Sequence, residues 1–263
     1  MTPAVTVLIG SYNSAATLPR AIESILAQTV HDLELIVVDD GSTDDTRVLT
    51  DAVPDDRVRY LGLEHMGISA SLNEGMREAA APIVAVQDAD DWSEPERLER
   101  QLALLDSDRE VAVVGTRMHE VDETGAPLAP RTAFRAGDVR DVLLRFNPIP
   151  NSCAAFRKDV VLALGGYDTR YRYAMDYDLW LRVAEGHKVV TLDEPLATRR
   201  MSRTNVAARK ERAQIRETIV MRARALRRRR DPRGVASLAV PLVSYLTPIP
   251  LKRMRRRRLG QAP

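Results

Sequence analysis

Polar and apolar positions alternate between two rhythms through the first 115 residues of the chain. Val5 to Ile9 is a short aliphatic run rich in β-branched residues, and Leu33 to Val38 is continuously apolar. Val58 to Leu63, Ile83 to Val86 and Val111 to Val114 repeat the type. Unbroken runs of this length predict strands buried on both faces. Between them, Thr17 to Gln28 places Leu18, Ile22, Ile25 and Leu26 on one side of a helix, and Ile68 to Ala80 predicts another. Ser42 predicts a helix start with Thr43, Asp44 and Asp45 in the first turn. Ser93-Glu94-Pro95-Glu96 predicts a further start. Ser93 would cap it, Glu96 would complete a capping box, and Pro95 would sit where a missing N–H costs little.

From about residue 116 to 150 the pattern is irregular, broken by Pro127, Pro130, Pro148 and Pro150. Order resumes at Ser152 to Phe156, followed by a helix near Lys158 to Leu164 that stops at Gly165 and Gly166. Tyr177 to Glu185 predicts a helix and Lys188 to Leu192 a last strand. Beyond Arg199 the composition changes abruptly, and no internal repeat is present.

Repeated strand–helix–strand units predict an α/β fold, a mainly parallel central sheet flanked by helices. Ligands of such sheets bind beyond the carboxyl ends of the strands. Gly10-Ser11-Tyr12-Asn13 follows the first strand, Asp39-Asp40-Gly41-Ser42 the second, and Asp88-Ala89-Asp90-Asp91 the fourth. Three carboxylates at one strand end repel one another and call for a cation or a hydrogen-bonding network. Mg²⁺ or Mn²⁺ takes one or two carboxylates and completes its shell with water and phosphate oxygens. Either acidic cluster alone is equally well read as a solvated turn before a helix. Two of them at strand ends of one sheet point to a site.

The chain has 263 residues, 44% hydrophobic and 29% charged, which fits a globular core and excludes a disordered or collagen-like chain. Cys153 is the single cysteine, so no intrachain disulfide or cysteine-rich metal site is available. Met1 to Ala4 lack the basic flank of a secretory signal, and the expected compartment is cytoplasmic. The formal charge of +2 conceals an asymmetry. Residues 199–263 hold 20 Lys and Arg against Glu211, Glu217 and Asp231, a net of +17, whereas residues 1–198 carry a net of −15. An acidic body and a basic tail answer to different partners.

The tail predicts a long basic helix over Arg209 to Arg230 with Ile215, Ile219, Val220 and Leu226 as a sparse apolar stripe. Val235 to Leu251 follows, with 11 of 17 residues apolar but interrupted by Pro241, Pro248 and Pro250, and flanked by Arg227–Arg230 and Arg255–Arg258. A spanning helix needs about 20 apolar residues. A segment lying at an anionic membrane surface fits residues 204–263 better. A packed helix pair ranks second. Nucleic acid ranks last, because Tyr245 is the single aromatic residue beyond position 198.

The ordered series of motifs resembles a family 2 glycosyltransferase of the GT-A fold. It runs from Val7-Leu8-Ile9-Gly10-Ser11-Tyr12-Asn13 through Leu35-Ile36-Val37-Val38-Asp39-Asp40-Gly41-Ser42 and Gly67-Ile68-Ser69-Ala70-Ser71-Leu72-Asn73. It continues with Asp88-Ala89-Asp90-Asp91, Gly165-Gly166-Tyr167-Asp168 and Asp176-Tyr177-Asp178-Leu179-Trp180-Leu181-Arg182. The resemblance covers residues 4–200. It implies a nucleotide-sugar donor (UDP-, GDP- or dTDP-linked) bound by Gly10, Tyr12, Asn13, Asp39, Asp40, Asp88, Ala89 and Asp91. Tyr12 would stack on or border the base and Asp40 would hydrogen-bond it. Asp88 and Asp90 match the DxD element that binds Mg²⁺ or Mn²⁺ against the diphosphate. Asp176 matches the general base that takes the proton of an acceptor hydroxyl, with inversion at the sugar, and Asp178 is the alternative. Met175, Trp180 and Arg182 fall in the acceptor-side segment. Met175 departs from the pattern, which has Glu there, and Leu72 stands where many relatives carry a basic residue.

The expected organisation is a catalytic domain over 1–203, its nucleotide half 1–115 and its acceptor half 116–203, followed by the basic tail 204–263. The implied role is envelope polysaccharide or glycolipid synthesis on a saccharide or lipid-linked acceptor, peripheral on the inner face of the membrane. Two alternatives differ in class. A sugar-nucleotide nucleotidyltransferase would need a basic phosphate loop, and Gly10 to Asn13 has no Lys or Arg. A silent nucleotide-binding scaffold is favoured by Met175 alone.

Overall fold

The computed structural model describes residues 2–129, 133–201, 211–229 and 233–246. They fall in two units, Met1–Arg203 and Thr204–Pro263.

The first unit is built on one mixed sheet. Its strands are β1 (Val5–Ser11), β2 (Leu33–Asp39), β3 (Val58–Gly62), β4 (Ile83–Asp88), β5 (Trp92–Ser93), β6 (Val111–Val121), β7 (Gly137–Asp138), β8 (Ala155–Arg157) and β9 (Lys188–Arg200). They lie in the order β3-β2-β1-β4-β8-β6-β9-β5, and β7 pairs with β9. The expected parallel sheet is found in β3, β2, β1 and β4. Beyond β4 the sheet is mixed: short β8 runs antiparallel between β4 and β6, and β6 pairs parallel with β9. Register brings Ser11 beside Asp39 and Gly10 beside Asp88, so the carboxyl ends of β1, β2 and β4 share one edge.

Helices α1 (Leu18–Leu26), α2 (Thr46–Asp51), α3 (Ile68–Glu78), α4 (Arg97–Ser107), α5 (Lys158–Ala163) and α6 (Met175–Val183) connect the strands. Alternate strand residues Val7, Ile9, Leu35 and Val37 pack with Leu18, Ile22 and Ile25 of α1 and with Leu98 and Leu105 of α4. Leu8, Ile36 and Val38 point to the opposite face and are equally buried. There α3 lies so close that a Cβ on Gly75 would meet Val38 Cγ2 at 2.7 Å. Each such fully buried aliphatic side chain contributes about 1.5–3 kcal/mol.

Two expected helix starts are corrected. Helix α2 begins at Thr46, because the Ser42 hydroxyl and N–H both bond the Asp39 carboxylate and hold residues 40–45 as a loop. Helix α4 begins at Arg97. Ser93 lies instead in β5, opposite Ala197, and its hydroxyl donates to Gln87 Oε1 at 2.5 Å. The last strand is also longer than the apolar run predicts, because pairing with β6 carries it on through Arg200.

In the second unit, α7 (Glu211–Arg229) packs on a 3₁₀ turn (Arg233–Leu238) and on α8 (Ala239–Leu246). Of the expected stripe, Leu226 is buried, Ile215 and Ile219 are partly buried and Val220 is exposed; Met221 and Ala225 are buried as well. Among the described residues no helix is long and apolar enough to cross a membrane. Arg203, Arg209, Arg230, Pro248, Pro250, Leu251 and Arg255–Arg258 lie outside the described residues.

Candidate functional site

At the shared strand edge, the loops after β1 and β2 are tied together. Asn13, with φ of 50°, accepts the Thr43 N–H at 2.8 Å, and its own N–H donates to the Ser42 hydroxyl at 2.8 Å. Asp40 N–H reaches the Ser11 carbonyl at 2.9 Å. Tyr12 is left half exposed at this edge, its ring stacked on His65 with centroids 4.4 Å apart. An exposed, preformed aromatic surface suits a flat ligand.

Asp40 itself turns inward. Its carboxylate receives the N–H groups of Met66 (2.8 Å) and Gly67 (3.0 Å) and the Ser71 hydroxyl (2.7 Å), while His65 Nδ1 bonds the Asp40 backbone carbonyl at 3.0 Å. In this structure Asp40 shapes the His65–Ser71 segment. Gly67 makes this arrangement, since its φ of 90° is open to glycine and strained for other residues. Asp39 is likewise buried, with one carboxylate oxygen on Ser42 and the other receiving Tyr60 Oη at 2.6 Å.

Asp88 closes β4, and Asp90 and Asp91 follow on a turn. One carboxylate oxygen from each lies within 4.8 Å of those from the other two. Burial, reinforced by the charge of Asp90, pushes the Asp88 carboxyl up to about 7. Burial raises Asp90, and burial with both neighbouring charges raises Asp91 well above the usual range. Three hard oxygen donors that repel one another in the protein alone fit a divalent cation such as Mg²⁺ or Mn²⁺. Ala89 is buried between them and offers no polar side chain.

Asp176, in the first turn of α6, belongs to the same neighbourhood, since its charge raises Asp88. Burial raises Asp176 as well, opposed by the Tyr177 N–H at 2.7 Å and the Asn147 amide at 3.0 Å. Arg199 on β9 faces this set, and its charge lowers Asp88, Asp90, Asp91 and Asp176. The next residue, Arg200, gives its backbone N–H to Asp91 Oδ1 at 3.0 Å. Arg199 is thus a partner of the carboxylates and not a solvated tail charge.

The other residues of the acceptor-side segment are engaged in packing contacts. Trp180 is fully buried, donates Nε1–H to the Ile149 carbonyl at 3.0 Å and lies against Phe156. Arg182 pairs with Asp178 at 2.7 Å and bonds the carbonyls of Leu164 and Gly166, clamping the turn after α5. Met175 is buried, its sulfur accepting the Ser69 hydroxyl at 2.8 Å. Sequence reasoning missed His65, Asn147, Asn151 and Ser152, whose roles arise from contacts distant along the chain. For Asn147 and Ser152 the one sequence signal was their nearness to a proline-rich irregular stretch.

The family model described as glycosyl transferase family 2 matches residues 6–164. The chain is 32% identical over 199 residues to the amylovoran biosynthesis glycosyltransferase AmsE of Erwinia amylovora, covering 72% of this chain and 73% of that protein. It is 36% identical over 207 residues to the putative glycosyltransferase EpsE of Bacillus subtilis, covering 74% and 72%. Among solved structures, Staphylococcus aureus TarS 1-349 in complex with UDP superposes with a TM-score of 0.67 at 18% identity, over 84% of this chain and 65% of that one. The mannosyltransferase PcManGT of Pyrobaculum calidifontis, in complex with GDP-Man and Mn²⁺, gives 0.64 at 21% identity, over 99% and 80%.

Proposed function

The chain belongs to glycosyl transferase family 2, and from that premise we propose that it moves a sugar from a nucleoside-diphosphate donor to an acceptor hydroxyl, with inversion, in polysaccharide synthesis. The observation that carries the reading is the meeting of Asp88, Asp90 and Asp91 with Asp176 and Arg199 at one end of the sheet. Relatives named for amylovoran and succinoglycan synthesis support a saccharide or lipid-linked acceptor. Structural neighbours titled with UDP and with GDP-Man support a nucleotide-linked donor.

Asp88 and Asp90 would hold Mg²⁺ or Mn²⁺, with Asp91 behind them. A divalent ion there neutralises the charge that develops on a departing nucleoside diphosphate. The remaining work falls to the chain itself. Tyr12, with Gly10 and Asn13 shaping its loop, offers the base a flat surface, and Asp40 braces that surface from beneath through His65. Arg199 supplies fixed positive charge near the diphosphate. Asp176 accepts the proton of the incoming hydroxyl, and the Asn147 amide and Tyr177 N–H fix its orientation. Its burial makes the carboxylate more basic than one in water. Attack from the side opposite the leaving group inverts the anomeric carbon.

For the second unit we propose attachment to an anionic membrane surface. Helix α8 leaves Leu242, Tyr245 and Leu246 exposed, and residues 204–263 are rich in arginine. Such a surface is where a lipid-linked acceptor resides, on the inner face of the cell membrane.

The test is thermal stability against a panel of UDP-, GDP- and dTDP-sugars with Mn²⁺, Mg²⁺ or EDTA. Binding at a hundredfold excess over Kd stabilises by about 2.7 kcal/mol. One nucleotide giving a metal-dependent shift that Asp90→Asn removes supports the reading, and no shift with any of them overturns it. Flotation with anionic vesicles tests the second unit; unchanged flotation after deletion of residues 204–263 overturns that part.

A further inference from the structure

Ser152 lies in a 3₁₀ turn (Asn151–Cys153) between the irregular segment and β8, and is buried. Its hydroxyl oxygen accepts the backbone N–H of Asp88 at 2.9 Å. The turn therefore bonds the residue that closes β4 and opens the acidic cluster.

The turn is anchored on two sides. From α4, the fully buried Arg97 and Gln101, one helical turn apart, donate to its carbonyls: Arg97 Nη1 to Ser152 at 2.8 Å and Gln101 Nε2 to Cys153 at 2.8 Å. The same groups reach Val86 of β4 and Val114 of β6, so the turn is locked to the strand that ends in Asp88. From the other side, Tyr167 Oη donates to Asn151 Oδ1 at 2.7 Å, and Tyr167 is fixed by reciprocal bonds with Asn73 of α3. A buried arginine costs heavily to desolvate, and here it is committed to two backbone carbonyls. That arrangement makes sense for holding a turn in one position.

We propose that Ser152 is a positioning residue for the cation site, its hydroxyl holding the backbone at Asp88 so that the carboxylate there is presented to one divalent ion. This inference rests on the reading of Asp88, Asp90 and Asp91 as metal ligands and deepens it. Groups that orient metal ligands from behind are worth about 10–100-fold in metal affinity.

The experiment is Mn²⁺ binding to the full chain, followed by electron paramagnetic resonance with and without UDP and GDP. Wild type is compared with Ser152→Ala and with Ser152→Cys, which keeps the volume and substitutes a weak thiol for the hydroxyl. Unfolding is monitored in parallel by circular dichroism. The expected result is a loss of Mn²⁺ affinity of about tenfold or more in the alanine variant and a smaller loss in the cysteine variant, both folded. If Ser152→Ala does not fold, the cysteine variant decides alone. Wild-type affinity in a folded variant overturns the role of Ser152 and leaves the metal site standing. Absence of Mn²⁺ binding in the wild type overturns the metal reading, and this inference with it.

Discussion

The phenol of Tyr60 on β3 donates to the carboxylate of Asp39, the last residue of β2, across 2.6 Å. Burial and the Asp39 bond push the phenol up to about 12. Because the folded value lies above the unfolded value near 10, this bond's stabilisation is full below pH 10 and is lost between about pH 10 and 12. Tyr60→Phe is expected to cost about 1.5–3 kcal/mol at pH 7, as for a hydrogen bond to a charged group. Urea unfolding at pH 7 and across pH 9.5–11.5 measures both; the variant should lose less stability than wild type as the pH rises.

Replacing Asp176 by Asn removes proton acceptance with little change of shape, the single amide oxygen keeping one of the two donors, Tyr177 N–H or the Asn147 amide. Turnover should fall about 10²–10⁴-fold, the usual contribution of a general base. Donor affinity, read by calorimetry, should stay at the wild-type value. A variant that turns over normally would move the base elsewhere.

Arg182→Ala separates packing from acceptor binding. It leaves Asp178 buried and unpaired and releases the carbonyls of Leu164 and Gly166. The expected cost is about 3–5 kcal/mol in denaturant unfolding. At a temperature where the variant is folded, its KM for acceptor should match wild type; a raised KM would return Arg182 to the acceptor wall.

Cys153 is fully buried, and burial pushes its thiol up to about 11. A thiol reagent at pH 8 should leave it unmodified in the native protein and label it in denaturant, because the thiolate is the reacting form. Rapid native labelling would mean that the layer between β4 and β6 opens readily.

The strands that flank the site were legible because their apolar runs are continuous, and the acidic residues at their ends marked the edge where a ligand sits. Helix starts at Ser42 and Ser93 were misread for one physical reason. Both hydroxyls bond a side chain just upstream, Asp39 three residues before Ser42 and Gln87 six before Ser93, instead of capping a helix. The inward bonds of Asp40 were not legible, since the donors from Met66, Gly67 and Ser71 arrive from more than 25 positions along the chain. The packing partners of Trp180 and Arg182 were not legible either, because motif adjacency to Asp176 says nothing about helix face. The bond of Ser152 to Asp88 was not legible, because it joins residues 64 positions apart that meet only when β8 pairs with β4.

Arg199 reaches the acidic cluster on a strand, as part of the covalent frame of the sheet. A site assembled from carboxylates alone would depend on a captured ion to hold its shape, as small zinc domains do. Here part of the counter-charge is inherited from the chain, so the chain is expected to reach its fold with no ion present; unchanged circular dichroism and unfolding in chelator would check this.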